Sequence, residues 1–157
     1  MQTPGPAVTP WPASVRLVEV GPRDGLQNEA TPVPPAARAQ FALALAAAGL
    51  TDIEVGAFVR EDKVPQMAGT EEVLAALDRA VGNRAPGTAD ARFIVLVPNA
   101  KGLERALAAG ARHVAVFTAV SETFNQKNIG MGVDESLRTL ARLYGVEALL
   151  PATPAQR

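Results

Sequence analysis

The chain has 157 residues, with 13 Gly, 13 Pro, no Cys and a formal net charge of -1, the size of one ordinary domain. Its 48% hydrophobic and 20% charged residues suffice for a core and argue against wholesale disorder, while 15 basic against 16 acidic residues leave no excess charge to draw nucleic acid or an anionic membrane. The lack of cysteine removes disulfides, thiol nucleophiles, cysteine-zinc sites and iron-sulfur ligation, and fits a reducing compartment such as the cytoplasm.

Residues 1–14 hold four prolines, no Lys or Arg and no apolar stretch of the kind a secretory signal carries, and are expected to be a disordered lead-in. No apolar run reaches the roughly 18 residues of a membrane span. Residues 15–20 form a β-branched run stopped by Gly21 and Pro22, which predicts a strand entering a turn. Pro34 and Pro35 open an alanine-rich helix over 36–48 that Gly49 closes. A second strand follows at 52–56, then a helix at 70–81 opened by Thr70, Glu71 and Glu72, with a polar loop at 83–90. The third strand covers 92–97 and its helix 101–109; the fourth strand covers 113–118 and a helix spans 134–144. Ala47, Ala48 and Gly49 ahead of Ile53 to Val55 are echoed by Ala108, Ala109 and Gly110 ahead of Val114 to Val116. Helix, glycine stop, short connection and buried strand thus occur twice, which predicts an α/β fold with parallel pairing and right-handed crossovers. Four units of this kind suit an open flavodoxin-like sheet, since a closed eight-stranded barrel typically needs about 250 residues.

In either architecture, chemistry gathers where strands end. The stretch Gly-Pro-Arg-Asp-Gly-Leu-Gln-Asn-Glu at 21–29 occupies that place after the first strand. It is a good plain turn, with Pro, Asp and Gly each serving backbone geometry. It also offers Asp24 as a hard oxygen ligand for a divalent cation and Arg23 as a fixed positive charge for an oxyanion. Glu54 is a carboxylate inside a strand whose neighbours Ile53 and Val55 point the other way. Parallel strands are usually covered on both faces, so this charge needs a partner, and Arg23 is a candidate. Glu19 raises the same question. Thr118, Ser121 and Glu122 follow the fourth strand, where Ser121 reads equally as a helix cap or a substrate contact. His113, the single histidine, starts that strand on the side away from the expected site and reads as structural. No dinucleotide fingerprint, phosphate loop, zinc-protease or serine-elbow motif occurs.

The stretch Val-Glu-Val-Gly-Pro-Arg-Asp-Gly-Leu-Gln-Asn-Glu at 18–29 resembles the first strand and loop of the hydroxymethylglutaryl-CoA lyases. The likeness continues through Ile53 and Glu54, Val-Pro-Gln-Met at 64–67, Pro98 and Asn99, Ala-Ala-Gly-Ala at 108–111, Ser121 and Glu122, and Lys-Asn-Ile at 127–129. It runs over roughly residues 15–143. Related aldol-type synthases share only the shorter Arg-Asp-Gly-x-Gln pattern, Arg23 to Gln27 here. The resemblance implies the N-terminal half, about four β/α units, of a TIM (β/α)8 barrel. It also implies retro-aldol cleavage of 3-hydroxy-3-methylglutaryl-CoA to acetyl-CoA and acetoacetate, in leucine degradation, with Mg2+ or Mn2+. By the same resemblance Asp24 is a metal ligand, Arg23 steadies the enolate, and Gln27 shapes the pocket floor. Glu54 holds the arginine or the groups around the cation, and Ser121 meets the acyl-CoA substrate.

Departures accompany the likeness. Ala57 stands where the family commonly has serine, and Arg-Glu-Asp-Lys at 60–63 replaces its usual Ser-Pro-Lys-Trp. The family's His-x-His pair, later asparagine and cysteine loop have no counterpart here. The expected division is the lead-in 1–14, the half barrel 15–145 and a tail 146–157 outside the family pattern, as from a truncated or frameshifted reading frame. Such a chain is expected to be inactive alone unless a separate C-terminal half completes it. The alternative is a non-catalytic α/β fragment that associates through its open sheet edge, with itself or with an intact relative, or the N-terminal piece of a related acyl-CoA aldol-type synthase.

Overall fold

The computed structural model describes residues 11–143 and residue 145 of the chain. The first expected strand is much reduced. Only Glu19 pairs, in parallel with Ile53, its N–H reaching the Asp52 carbonyl at 2.8 Å and its carbonyl accepting from the Glu54 N–H at 2.8 Å. The ladder goes no further because the chain turns at Gly21 and Pro22, and proline has no N–H to give.

Helix α1 (Pro35–Ala47) starts with proline in its first turn and buries Ala39, Ala42 and Ala46, a three- and four-residue spacing that lets its backbone lie close to the sheet. Strand β1 (Asp52–Ala57) is buried at every position. Helix α2 (Thr70–Gly82) buries Val73, Leu74 and Leu77. Strand β2 (Arg92–Leu96) leads to α3 (Ala100–Ala108), where the Asn99 side chain accepts from the Gly102 N–H at 2.9 Å as an N-cap. Strand β3 (His113–Ala115) is shorter than expected. Its ladder ends with the Val97 N–H on the Ala115 carbonyl at 2.9 Å, since the partner strand runs into Pro98. Helices α4 (Glu122–Ile129) and α5 (Val133–Leu143) complete the described chain. Residues 1–10 of the expected lead-in 1–14 and the expected tail 146–157 lie outside the described residues, as does Tyr144 at the end of the last expected helix.

The strands lie in the order β1-β2-β3, all parallel, with the Glu19 segment beside β1. Spatial order therefore follows chain order. A flavodoxin-like sheet reverses direction at a switch point, so the open-sheet expectation fails and the barrel arrangement holds. Ile53, Val55 and Val95 pack against Ala42 and Ala46 of α1 and Val73 and Leu77 of α2 in one cluster. Burying a side chain such as Leu77 stabilises the fold by about 1.5–3 kcal/mol. Asp52 and Glu54 alternate with Ile53 and Val55, so they face away from these helices.

Two glycines are required by close approach. A Cβ on Gly56 would lie 2.6 Å from Thr70 Oγ1, whose hydroxyl donates to the Met67 carbonyl at 2.8 Å and so pins the start of α2 to the end of β1. Gly87, at φ +76°, would place a Cβ 2.0 Å from the Ala46 carbonyl oxygen, so the loop before β2 crosses the end of α1 only as glycine.

Candidate active site

The turn Gly21–Gly25 is wide: the N–H groups of Arg23, Asp24 and Gly25 all converge on the Val20 carbonyl, at 3.1, 2.7 and 3.2 Å. Such i→i+5 turns are rare and concentrate at functional sites. Glu19 Oε1 braces its start by accepting from the Gly21 N–H at 2.6 Å. That answers the question raised by Glu19: its carboxylate holds the turn. Leu26, just beyond, packs with Ala57, Met67 and Leu96 and fixes the turn to the strand ends.

The structure brings Arg23, the candidate partner, to Glu54. Arg23 Nε donates to Glu54 Oε2 at 2.7 Å and Arg23 Nη1 donates to Asp24 Oδ1 at 2.7 Å. The side chains of Arg23 and Glu54 are only 16% and 10% exposed, whereas Asp24 is 54% exposed. The pair register between β1 and β2 slips between Glu54 and Gly56: Glu54 still pairs with Ile94 and Gly56 with Val95, so Val55 is the extra residue of a bulge beside the carboxylate. One carboxylate thus locks the guanidinium from inside while the other sits at the solvent edge. Among the described residues the remaining guanidinium N–H donors meet no acceptor, and such donors suit an anion.

Gln27 lies half-buried beyond the turn. Ser121 is the N-cap of α4, its Oγ accepting from the Phe124 N–H at 3.3 Å, and it is exposed. That bond is the capping role. Glu122 Oε2 accepts from the Val133 N–H at 3.1 Å. Thr118 Oγ1 is 2.6 Å from Ser136 Oγ, and buried Asn125 accepts from the Ala119 N–H at 3.0 Å through Oδ1 and donates to Ser136 Oγ at 2.9 Å. These contacts fix the loop after β3 rather than form a second reactive cluster. His113 opens β3 and lines a cavity of about 700 Å³ with Leu77, Arg79, Phe93 and Arg112. That cavity lies where β2 and β3 begin, at the end of the sheet away from Arg23.

Several supporting residues escape sequence reasoning. Asp52 is buried and receives two 2.7 Å bonds from Arg92, with Arg16 at 3.8 Å. The bonds from Arg92 hold its carboxyl below the usual carboxylate range, and the same bonds raise Arg92. Arg105 of α3 donates to Glu71 at 2.6 Å, Glu61 at 3.1 Å and the Val59 carbonyl at 3.3 Å, and lies over the Phe58 ring. It clamps the loop after β1, where Arg60 and Asp62 also pair at 2.6 Å. Arg38 of α1 is fully buried and donates to the Ala68 carbonyl; burial lowers its pKa.

Among the described residues no three His, Cys, Asp or Glu groups cluster to hold a metal ion. Asp24 is the candidate ligand left by the sequence, and its carboxylate is engaged by Arg23. These residues do not form a cation cage by themselves, so no step of a reaction can be drawn through a metal on them alone.

Parallel β/α units in sequential order, with a polar cluster at the mouth beyond the first strand, define part of a (β/α)8-barrel enzyme. Residues 14–145 match the HMGL-like family, and the chain belongs to it. It is 49% identical over 126 residues to the 3-hydroxy-3-isohexenylglutaryl-CoA/hydroxymethylglutaryl-CoA lyase of Pseudomonas aeruginosa, covering 80% of this chain and 39% of that protein. The crystal structure of hydroxymethylglutaryl-CoA lyase from Pseudomonas aeruginosa superposes with a TM-score of 0.71 at 45% identity, covering 86% of this chain and 44% of the other. An HMG-CoA lyase of Acinetobacter baumannii in complex with coenzyme A and 3-methylmalate gives 0.69 at 30% identity, over 85% and 42%. The chain thus spans less than half the length of these relatives, and its fold is the N-terminal part of their barrel.

Proposed function

We propose that this chain carries the enolate-stabilising half of a hydroxymethylglutaryl-CoA lyase site, for cleavage of 3-hydroxy-3-methylglutaryl-CoA to acetyl-CoA and acetoacetate in leucine degradation, in the cytoplasm. The observation that supports it is the Arg23 guanidinium, held at 2.7 Å by buried Glu54 beyond the first strand of a chain in this family. In a retro-aldol cleavage the tertiary hydroxyl gives up its proton, the carbon-carbon bond breaks, and its electron pair passes to the carbon beside the thioester. The resulting enolate oxygen is negative. A cation already oriented before the charge forms lowers that barrier, because it need not reorganise when the bond breaks. Glu54 keeps Arg23 from swinging to solvent and leaves its outer N–H groups for the oxyanion. In this reading Gln27 would complete the pocket floor and Ser121 would meet the acyl-CoA.

Asp24 would supply one oxygen to Mg2+ or Mn2+, the other ligands coming from a completing half. Such a cation supplies positive charge to the substrate's oxygens. The chain alone is inactive under this reading. The test is acetoacetate release from the CoA thioester with Mg2+, first by the purified chain and then by the chain assembled with the C-terminal half of the Pseudomonas aeruginosa relative. No turnover alone and turnover by the assembled pair is expected. Turnover by the isolated chain would contradict its incompleteness, and an assembled but inert pair would contradict the lyase reading.

A further inference from the structure

Arg38 breaks three local rules at once. It is 0% exposed, although an arginine is almost never fully buried unless a charged partner bonds it. It stands in the first turn of α1, at the positive end of the helix, where a cation is disfavoured. Its Nε–H meets no acceptor among the described residues, which leaves a buried donor unpaid by any hydrogen bond. The charge of Glu72 offsets only part of this cost. A methionine would fill the same space without it, so stability alone does not account for a guanidinium here. The side chain is closed in by described residues on every side.

What the guanidinium does hold is the segment ahead of α2. Its Nη2 donates to the Ala68 carbonyl, and its Nη1 reaches Met67 Sδ at 3.9 Å. Met67 is 1% exposed and belongs to the cluster of Ala57 and Leu96 against which Leu26 packs. Leu26 in turn closes the wide turn that carries Arg23, its N–H directed to the Arg23 and Gly21 carbonyls. A second tie runs beside the first, since Gln66 Nε2 donates to the Glu29 carbonyl at 3.0 Å. We infer that Arg38 is a positioning residue for Arg23, acting through Met67 and Gln66 to hold the 21–29 stretch in place. Glu54 grips the Arg23 side chain, and Arg38 fixes the backbone from which that side chain projects. The effect on turnover rests on the lyase reading, whereas the effect on the turn rests on geometry alone.

The test compares Arg38→Met, which keeps the packing and removes the donors, with Arg38→Lys, which keeps a donor for the Ala68 carbonyl. Amide hydrogen exchange of the 157-residue chain, read residue by residue by NMR, reports on the turn. The N–H groups of Arg23, Asp24 and Gly25, all bonded to the Val20 carbonyl, should exchange about tenfold faster or more in Arg38→Met. Those of Arg92 and Val97, bonded within the sheet region, should stay within about twofold, and Arg38→Lys should keep all five near native. Native exchange at the turn in Arg38→Met overturns the inference. So does an equal loss of protection at Arg92 and Val97, which marks Arg38 as a support of the whole fold. In the chain assembled with the C-terminal half of the Pseudomonas aeruginosa relative, Arg38→Met should lower kcat about tenfold with KM within about threefold, and Arg38→Lys should restore it. A native kcat in the Arg38→Met assembly contradicts the positioning role. An inert native assembly overturns the lyase reading instead, and the exchange rates then decide whether Arg38 holds the turn.

Discussion

Removing the Glu54 charge tests whether Arg23 is locked or merely adjacent. Glu54→Gln keeps the volume and deletes the anion beneath a guanidinium that is 16% exposed. A fully buried pair broken on one side costs about 3–5 kcal/mol. Arg23 retains Asp24 at 2.7 Å, so the loss here is closer to that of one hydrogen bond to a charged group, about 1.5–3 kcal/mol. A double-mutant cycle with Arg23→Gln isolates this coupling. Urea unfolding at one fixed protein concentration is the assay, with an unchanged slope showing that the denatured state is unaffected. The parallel cycle of Arg23 with Asp24, which is 54% exposed, should give only about 0.2–1 kcal/mol. A Glu54 coupling below about 0.5 kcal/mol, no larger than that of an exposed pair, would refute the lock.

Gly87→Ala should lower the melting temperature by roughly 4–10 °C, from a strain of about 2–3 kcal/mol, because its Cβ meets the Ala46 carbonyl in a positive-φ conformation; a shift under about 2 °C contradicts the packing. Asp52 has its folded pKa depressed by Arg92, so its contribution to stability is present above the unfolded value near 3.9 and is lost as pH falls through the folded value. Asp52→Asn should therefore flatten the acid limb of a stability-against-pH curve below about pH 4, and an unchanged limb would contradict the pairing. Calorimetric titration of the chain with Mg2+ should show binding no tighter than the millimolar range of weak carboxylate sites, and micromolar binding would show a complete site on this chain.

The Arg23–Glu54 pair is legible in the sequence because a carboxylate between Ile53 and Val55 must lie opposite the apolar face of a covered strand, and Arg23, in the polar loop after the first strand, is a candidate cation for it. The bulge beside Glu54 has no such signature, since Gly56 reads the same whether it bends a strand or clears space for Thr70. Helix α4 is missed although Ser121 and Gly130 bracket it, because its interior of Thr, Asn, Gln and Lys lacks an apolar stripe. Its anchor is polar instead: Asn125 is fully buried through Ala119 and Ser136. Asp52 and Arg92 escape for a different reason. They lie 40 residues apart, and only the parallel register that sets Asp52 opposite Arg92 brings them together.

In the proposed reaction Arg23 receives the charge of the breaking bond. The most direct measurement of this is turnover of 3-hydroxy-3-methylglutaryl-CoA by the chain assembled with the C-terminal half of its Pseudomonas aeruginosa relative, comparing the native chain with Arg23→Gln. A fall in kcat of about 100-fold or more with KM changed far less is expected, the signature of an interaction made in the transition state. An Arg23→Gln assembly that folds, binds substrate and turns over within a few-fold of the native one would contradict it.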